Sequence, residues 1–102
     1  MSVVVVATIR PLPEHRAAVI EAIKETVGQV HAEDGCELYS LNEAPDRLIM
    51  VEKWASQEAL DIHARGPNLA ALAPRLAGKV TAAPDVIVLQ PVPAGDPAKG
   101  AV

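Results

Sequence analysis

The chain opens with a short apolar run. Residues Val3 to Ile9 read VVVVATI, a stretch rich in β-branched side chains that ends at Arg10 before two prolines. This composition predicts a β-strand. The run does not alternate between apolar and polar positions, as a strand with one face in water would. We therefore expect both faces of this strand to be buried.

The pattern then changes to a helical period. From Glu14 to about Ala32, charged side chains are interspersed with apolar residues that recur three or four positions apart, at Ile20, Ile23, Val27 and Val30. Such spacing predicts an amphipathic helix. The EDG stretch at 33 to 35 is a stop signal, with Gly35 available for a left-handed cap.

Two further strands flank a turn. Cys36 to Asn42 and Arg47 to Trp54 are rich in strand-forming residues, and the NEAPD segment at 42 to 46 supplies turn residues between them. So short a connection predicts an antiparallel hairpin.

Two short helices are predicted next. Ser56 can cap a helix that ends after Arg65, where Gly and Pro follow. A second helical segment runs from about Pro67 to near Gly78. Pro74 falls inside its apolar pattern, so we expect a kink or a restart there.

The last predicted strand covers Asp85 to Gln90 and is flanked by prolines. Beyond it, residues 92–102 read VPAGDPAKGAV, have no hydrophobic periodicity and are expected to form an extended or disordered tail. The chain is therefore divided into one domain over residues 2–91 and this tail.

The predicted order is β, α, β, β, α, β, with the two short helices forming the second helical unit. This is the ferredoxin-like plan of the α+β class, in which a four-stranded antiparallel sheet carries its helices on one face. Runs such as VVVV, LIMV and VIVL place apolar groups on both sides of the strands. We therefore expect two copies to pack sheet against sheet in a homodimer, as a dimeric α+β barrel.

Composition excludes several kinds of partner. Nine Lys and Arg against thirteen Asp and Glu leave a net charge of −4, which offers no basic surface for nucleic acid. No apolar run approaches the ~20 residues that cross a membrane, and no segment has the form of a signal peptide. The single cysteine, Cys36, excludes an intrachain disulfide. We expect a soluble cytoplasmic protein.

Two motifs then carry a family resemblance. G-C-x-x-Y at 35 to 39 is followed by E-x-W-x-S-x-E-A-L-x-x-H at 52 to 63. Their order and spacing resemble the antibiotic biosynthesis monooxygenase family, and the resemblance extends over about Ser2 to Pro91. It implies a small dimeric α+β barrel. It also implies chemistry of one of two kinds: oxidation of quinols or anthrone-like phenols by O2 without a cofactor, or binding and degradation of haem.

One position departs from the family pattern. Family sequences often carry a second histidine about five residues after the first, where this chain has Asn68 in RGPNLAAL. Asparagine forms hydrogen bonds but is not a base, so a mechanism that needs two histidines is not supported. The segment from Asn68 to Gly78 also lacks the iron-binding histidine that the resemblance implies for the haem-degrading branch. Quinol oxidation is therefore favoured over haem degradation.

His63 is the candidate catalytic residue. It follows Ala59 by four positions and Leu60 by three, so it shares the apolar face of its helix and is expected to point toward the sheet. One interpretation is a buried histidine satisfied by a backbone carbonyl or a carboxylate. The other is a general base that removes a proton from a phenol or an acidic C–H.

Five further residues are candidates for substrate contact. Trp54 either anchors the strand-to-helix corner or stacks on a planar substrate and donates its N–H. Glu52, an isolated charge on an apolar stripe, is expected to pair with an Arg or Lys within the chain or across the dimer, and its other possible role is to orient a base. Tyr39 and Asn42 could supply hydrogen bonds near one end of the hairpin, although strand parity places them on opposite faces, and Tyr39 is otherwise a core or dimer contact. Asn68 could donate or accept a hydrogen bond.

No cofactor or metal site is predicted. His15, His31 and His63 show no spacing typical of a metal site, no nucleotide-binding motif occurs, and Cys36 is interpreted as a structural thiol. Two hypotheses follow. The first is a cofactor-independent monooxygenase acting on a small hydroxylated aromatic compound with O2. The second is a non-catalytic dimeric module that binds a small aromatic ligand or haem.

Overall fold

The computed structural model describes residues 1–102. A one-turn 3-10 helix at Pro13–His15 precedes α1. The elements follow in the order β1 (Val3–Ile9), α1 (Arg16–His31), β2 (Cys36–Ala44), β3 (Arg47–Trp54), α2 (Gln57–Ala64), α3 (Pro67–Leu76) and β4 (Asp85–Leu89). The predicted order of strands and helices is confirmed.

The four strands form one antiparallel sheet in the order β2-β3-β1-β4. Val5 is opposite Glu52 on one side and Val88 on the other, while Glu52 is also opposite Tyr39. The ferredoxin-like α+β fold is confirmed.

The core lies between the helices and one face of the sheet, called here the inner face. Alternate residues of β3 are buried, and Leu48, Met50, Glu52 and Trp54 all face inward. They pack with residues of β1, β2, α1, α2 and α3, chiefly Val3, Val5, Ala7, Ile9, Val19, Ala22, Ile23, Val30, Tyr39, Leu60 and Leu72.

The opposite side of the sheet, called here the outer face, carries no helix. Its central row is formed by Val51, Val6 and Ile87, which are paired across β3, β1 and β4. Within one chain every residue of β4 is exposed, including Ile87 at 56% and Leu89 at 41%. The expectation that apolar groups occur on both faces of the strands is confirmed.

Several boundaries differ from the predicted ones. The 3-10 turn takes the place of the first predicted helical residues, because Pro13 constrains the chain before α1 begins at Arg16. The hairpin is tighter than predicted, since β2 continues to Ala44 and only Pro45 and Asp46 form the turn.

Pro74 neither interrupts α3 nor restarts it. The helix runs unbroken from Pro67 to Leu76 with Pro74 inside its last turn, where few backbone bonds are left to disturb. Beyond β4, residues 90–102 form no helix or strand. A turn near the end is closed by a hydrogen bond from the Gly100 N–H to the Asp96 carbonyl at 2.7 Å.

Candidate active site

His63 lies on the inner side of α2 and is only 3% exposed. The helix begins where the sequence predicted, because the Ser56 hydroxyl accepts a hydrogen bond from the Ala59 N–H at 3.1 Å. His63 comes eight residues after Ala55. It points into the core, as the helical spacing indicated.

Glu33 is the hydrogen-bond partner of His63. Its Oε1 lies 3.0 Å from His63 Nδ1, and its side chain is 20% exposed. A carboxylate can only accept hydrogen bonds, so the pair favours the tautomer in which Nδ1 carries the hydrogen and Nε2 is left with its lone pair. The sequence predicted a carboxylate or carbonyl partner but did not identify Glu33, which is thirty residues away.

Gly35 explains how the α1–β2 turn comes so close to α2. Its φ of +81° is a left-handed conformation, and an added Cβ would lie 2.6 Å from the Ala59 Cβ. The Gly35 carbonyl also accepts a hydrogen bond from the Ala55 N–H at 2.8 Å. The turn is thereby tied to the start of α2, and Glu33 is brought within reach of His63.

Trp54 supports the imidazole from the sheet. The indole and His63 rings have centroids 4.4 Å apart with planes inclined by 30°. Trp54 is fully buried, and its N–H donates to Glu52 Oε1 at 3.0 Å. The structure therefore does not leave Trp54 free to stack on a substrate, because the ring contacts His63 and the donor is already used.

Within the chain, the predicted partner of Glu52 is wrong. No Arg or Lys pairs with this carboxyl group; Oε1 accepts the Trp54 N–H and lies 4.0 Å from His63 Nε2. Burial raises the pKa of Glu52 above its usual range, and the nearby Glu33 adds to the increase, while the Trp54 bond and His63 oppose it. The prediction assumed that a buried carboxylate needs a Lys or Arg. Here the neutral Trp54 N–H and His63 stabilise the buried carboxyl group of Glu52 instead.

A cavity of about 190 Å³ lies between the sheet and helices α2 and α3. Its polar end is formed by Tyr39, Glu52 and His63. The other walls are apolar and consist of Val5, Ala7, Ile9, Met50, Leu60, Ala64, Leu69, Leu72, Leu76, Pro84 and Val86.

The polar end presents unused hydrogen-bonding groups to this cavity. Neither the Tyr39 hydroxyl nor His63 Nε2 forms a hydrogen bond. In this structure, every side-chain nitrogen or oxygen that is fully buried has a hydrogen-bond partner. Neither atom is therefore fully buried, and both residues line the cavity. Burial, with the negative charges of Glu52 and Glu33, raises the pKa of Tyr39 well above its usual value, so its hydroxyl stays a donor.

The two asparagines lie outside this cavity. Asn68 donates from Nδ2 to Glu33 Oε2 at 2.8 Å, so it contacts the partner of His63 and not the open space. Asn42 is exposed and donates to the Ser40 carbonyl at 3.1 Å. The structure thus brings His63, Glu52 and Tyr39 together at the cavity, places Trp54 and Asn68 behind them, and leaves Asn42 elsewhere.

The other candidate ligands are dispersed. His31 Nε2 lies 3.0 Å from the Tyr39 carbonyl oxygen, and Cys36 is a free, half-buried thiol whose pKa is raised by burial. The structure brings together no group of three or more His, Cys, Asp and Glu side chains suited to a metal ion.

Comparison with known proteins assigns this arrangement to a family. The antibiotic biosynthesis monooxygenase family matches residues 2–75. The chain belongs to that family. The match includes β1 to α2 and most of α3, and therefore every polar residue of the cavity.

Two individual proteins are similar to this chain over most of its length. The chain is 31% identical over 100 residues to the Escherichia coli protein named "Probable quinol monooxygenase YgiN", covering 85% of this chain and 95% of that protein. The structure of Rv0793 from Mycobacterium tuberculosis superposes with a TM-score of 0.85 at 28% identity, covering 94% of this chain and all of that one. No helix of the present chain is long and apolar enough to span a membrane.

Proposed function

We propose that the protein is a cofactor-independent monooxygenase that oxidises a small hydroxylated aromatic compound, of the quinol or anthrone type, with O2. The observation that carries the proposal is the His63 arrangement: Nδ1 bonded to a carboxylate, and Nε2 open to an apolar cavity. The family and the name of the Escherichia coli relative support the reaction class.

His63 is the proposed general base. Nε2 takes the proton from a substrate hydroxyl placed at the polar end of the cavity. The resulting imidazolium is stabilised by the Glu33 carboxylate at 3.0 Å and by the Trp54 ring at 4.4 Å between centroids. Tyr39, still protonated, donates a hydrogen bond to a substrate oxygen on which negative charge develops.

The oxidation then takes place between substrate and O2. A quinolate transfers one electron to O2, and the semiquinone and superoxide combine to form a bond between a ring carbon and oxygen. The hydroperoxide loses the ring proton and its outer oxygen as water, which leaves a hydroxyquinone. One quinol and one O2 thus give one hydroxyquinone and one water, with all four electrons supplied by the substrate. The apolar walls exclude water from the radical pair.

The active form is proposed to be a homodimer in the cytoplasm. The outer face, which no helix covers and which has Val6, Val51 and Ile87 in its central row, supports packing of two sheets against each other. Residues 2–91 are the proposed functional domain, with 92–102 as an appended tail. The free Cys36 is consistent with a reducing compartment.

The first prediction tests the base. Chelator-treated protein should consume O2 with a panel of quinols and anthrones, and His63→Ala should lower kcat/KM by roughly 10²- to 10⁴-fold, the usual contribution of general base catalysis. His15→Ala is the control, because His15 forms no side-chain hydrogen bond and lies outside the cavity.

Circular dichroism must show that His63→Ala is folded. If that variant consumes O2 as fast as the parent, the assignment of the base is wrong. If the parent consumes no O2 with any compound, the monooxygenase proposal is wrong and a non-catalytic binding module takes its place.

A further inference from the structure

We propose that the substrate is a single-ring hydroxyaromatic compound that carries an apolar chain. The ring occupies the cavity beside His63, and the chain leaves that cavity and lies in a second space on the surface of α3. This inference rests on the proposed function for the identity of the reacting ring, but the bound chain is tested separately.

The cavity beside His63 has a closed polar end and an open apolar end. Tyr39, Glu52 and His63 are each no more than 6% exposed, whereas Val86, which lines the same space, is 60% exposed. A ligand must therefore enter between β4 and α3, with its hydroxyl group leading and any apolar substituent trailing toward the entrance.

The size of this cavity favours one ring. Its volume is about 190 Å³. An engineered apolar cavity of about 150 Å³ in another protein binds benzene, so the space suits a substituted single ring and is small for a three-ring compound. Ligand sites for larger molecules generally occupy about 300 Å³ or more.

A groove of about 320 Å³ adjoins the entrance. It is called here the α3 groove, and it is lined by Leu69, Leu72, Ala73, Leu76, Ala77, Val80 and Pro84. Four of these residues, Leu69, Leu72, Leu76 and Pro84, also line the His63 cavity. The same side chains thus form the boundary between the two spaces.

The sheet gives the distance that the ligand must cover. Val5 of β1 is paired with Glu52 of β3 on one side and with Val88 of β4 on the other, so these three residues form one row across the sheet. Pro84 comes four residues before Val88 in the chain. Four residues of extended strand span about 13 Å. A ring at the polar end therefore leaves a distance of several ångströms toward the α3 groove, which a chain of several carbons can span.

The chemistry of the α3 groove selects an apolar chain. Every lining side chain is Leu, Ala, Val or Pro, so none offers a charge or a side-chain hydrogen bond. The groove is on the helix side of the molecule, opposite the outer face where the proposed dimer forms, so dimerisation does not cover it. A fully buried methylene group contributes roughly a fourfold gain in affinity, and a methylene in an open surface groove contributes less.

The second prediction uses methyl-, butyl- and octylhydroquinone as probes. Binding is measured by calorimetry without O2, and turnover by O2 uptake. We expect Kd and KM to fall several-fold from the methyl to the butyl compound and again to the octyl compound, with little change in kcat, because the chain binds away from the reacting ring.

Ala73→Glu provides the structural test. Ala73 is exposed and lines only the α3 groove, so the carboxylate should remove the gain from the octyl chain and leave methylhydroquinone unaffected. Ala71→Glu is the matched control, since Ala71 is exposed on the same helix and lines neither space. It should behave like the parent.

The inference is overturned if octylhydroquinone binds no better than methylhydroquinone, if no hydroquinone binds at all, or if Ala71→Glu and Ala73→Glu have the same effect. A three-ring anthrone that binds more tightly than every hydroquinone would also overturn it. Chain-dependent binding without O2 uptake would support the site and refute the proposed oxidation, so the two failures are distinguishable.

Discussion

At the scale of single residues, the environment of His63 combines three different contacts. Glu33 bonds Nδ1, the Trp54 ring packs against the imidazole, and Glu52 lies 4.0 Å from Nε2. The first two hold the imidazole in place. Glu52 is only 5% exposed, and burial raises its pKa.

The third prediction concerns Glu52 and pH. Because its pKa is higher in the folded than in the unfolded chain, the unfolded state releases this proton first as the pH rises. The stability linked to Glu52 is therefore greatest below the ordinary carboxyl pKa and is lost as the pH rises through the raised value. Glu52→Gln, which keeps the acceptor for Trp54, should gain in free energy of unfolding relative to the parent over that range.

Urea unfolding of both proteins from pH 4 to pH 8 measures this difference. Glu21→Gln removes an exposed carboxylate of α1 that has no ion-pair partner, and it should follow the parent throughout. A difference between Glu52→Gln and the parent that does not change with pH would contradict the prediction.

At the scale of elements, one side chain links three parts of the fold. Glu33 lies in the turn after α1, bonds His63 of α2 through Oε1, and accepts from Asn68 of α3 through Oε2. Gly35 permits the close approach of this turn to α2. The orientation of the imidazole therefore depends on how α1, α2 and α3 are placed relative to one another.

The fourth prediction tests this link. Glu33→Ala removes both hydrogen bonds and should lower kcat/KM by about 10- to 100-fold, the loss of roughly 1.5–3 kcal/mol expected for a hydrogen bond to a charged group. Nitrogen-15 NMR should show that His63 no longer favours hydrogen at Nδ1, a change that a purely structural role would not cause.

Asp34→Ala is the matched control, since Asp34 is exposed in the same turn and forms no hydrogen bond or ion pair. Its activity and its His63 tautomer should equal those of the parent. An unchanged tautomer in Glu33→Ala would refute the positioning role, whatever the loss of stability.

At the scale of the whole molecule, the sheet separates two surfaces with different uses. The inner face holds the core and the His63 cavity, while the outer face presents apolar side chains of β1, β3 and β4 that no helix covers. Large exposed apolar patches on a small chain indicate an interaction surface. A second copy can cover this one with the same face.

The fifth prediction is that Ile87→Glu produces a monomer. Ile87 is 56% exposed in the single chain, so the change should leave the fold intact. A symmetric dimer would bury two such carboxylates, so its dissociation constant should rise by at least about 100-fold. Light scattering of the parent should give twice the chain mass, and of the variant the chain mass.

Ile62→Glu is the comparison, because Ile62 is 50% exposed but lies on α2, away from the outer face. It should stay dimeric. A monomeric parent, or dissociation caused equally by both changes, would argue against dimerisation through the sheet.

The sequence predicted the secondary-structure elements better than it predicted the contacts between side chains. The alternation of β3 correctly placed Glu52 and Trp54 on one face, and the helical spacing of α2 correctly turned His63 inward. Both predictions rest on the spacing of side chains along one strand or one helix, which depends only on nearby residues. The partner of Glu52 within the chain was predicted wrongly, and Glu33 was missed, because pairing across the fold depends on where separate elements meet.

The sequence by itself determined the order of strands and helices, the fold and the family, because these follow from local hydrophobic periods and from motif spacing. Only the tertiary structure decided what surrounds His63. It brought Glu33 to the ring through the left-handed turn at Gly35, and it buried the indole of Trp54 against the imidazole. The reason is geometric: contacts within a few ångströms depend on the packing of distant segments, which no local pattern records.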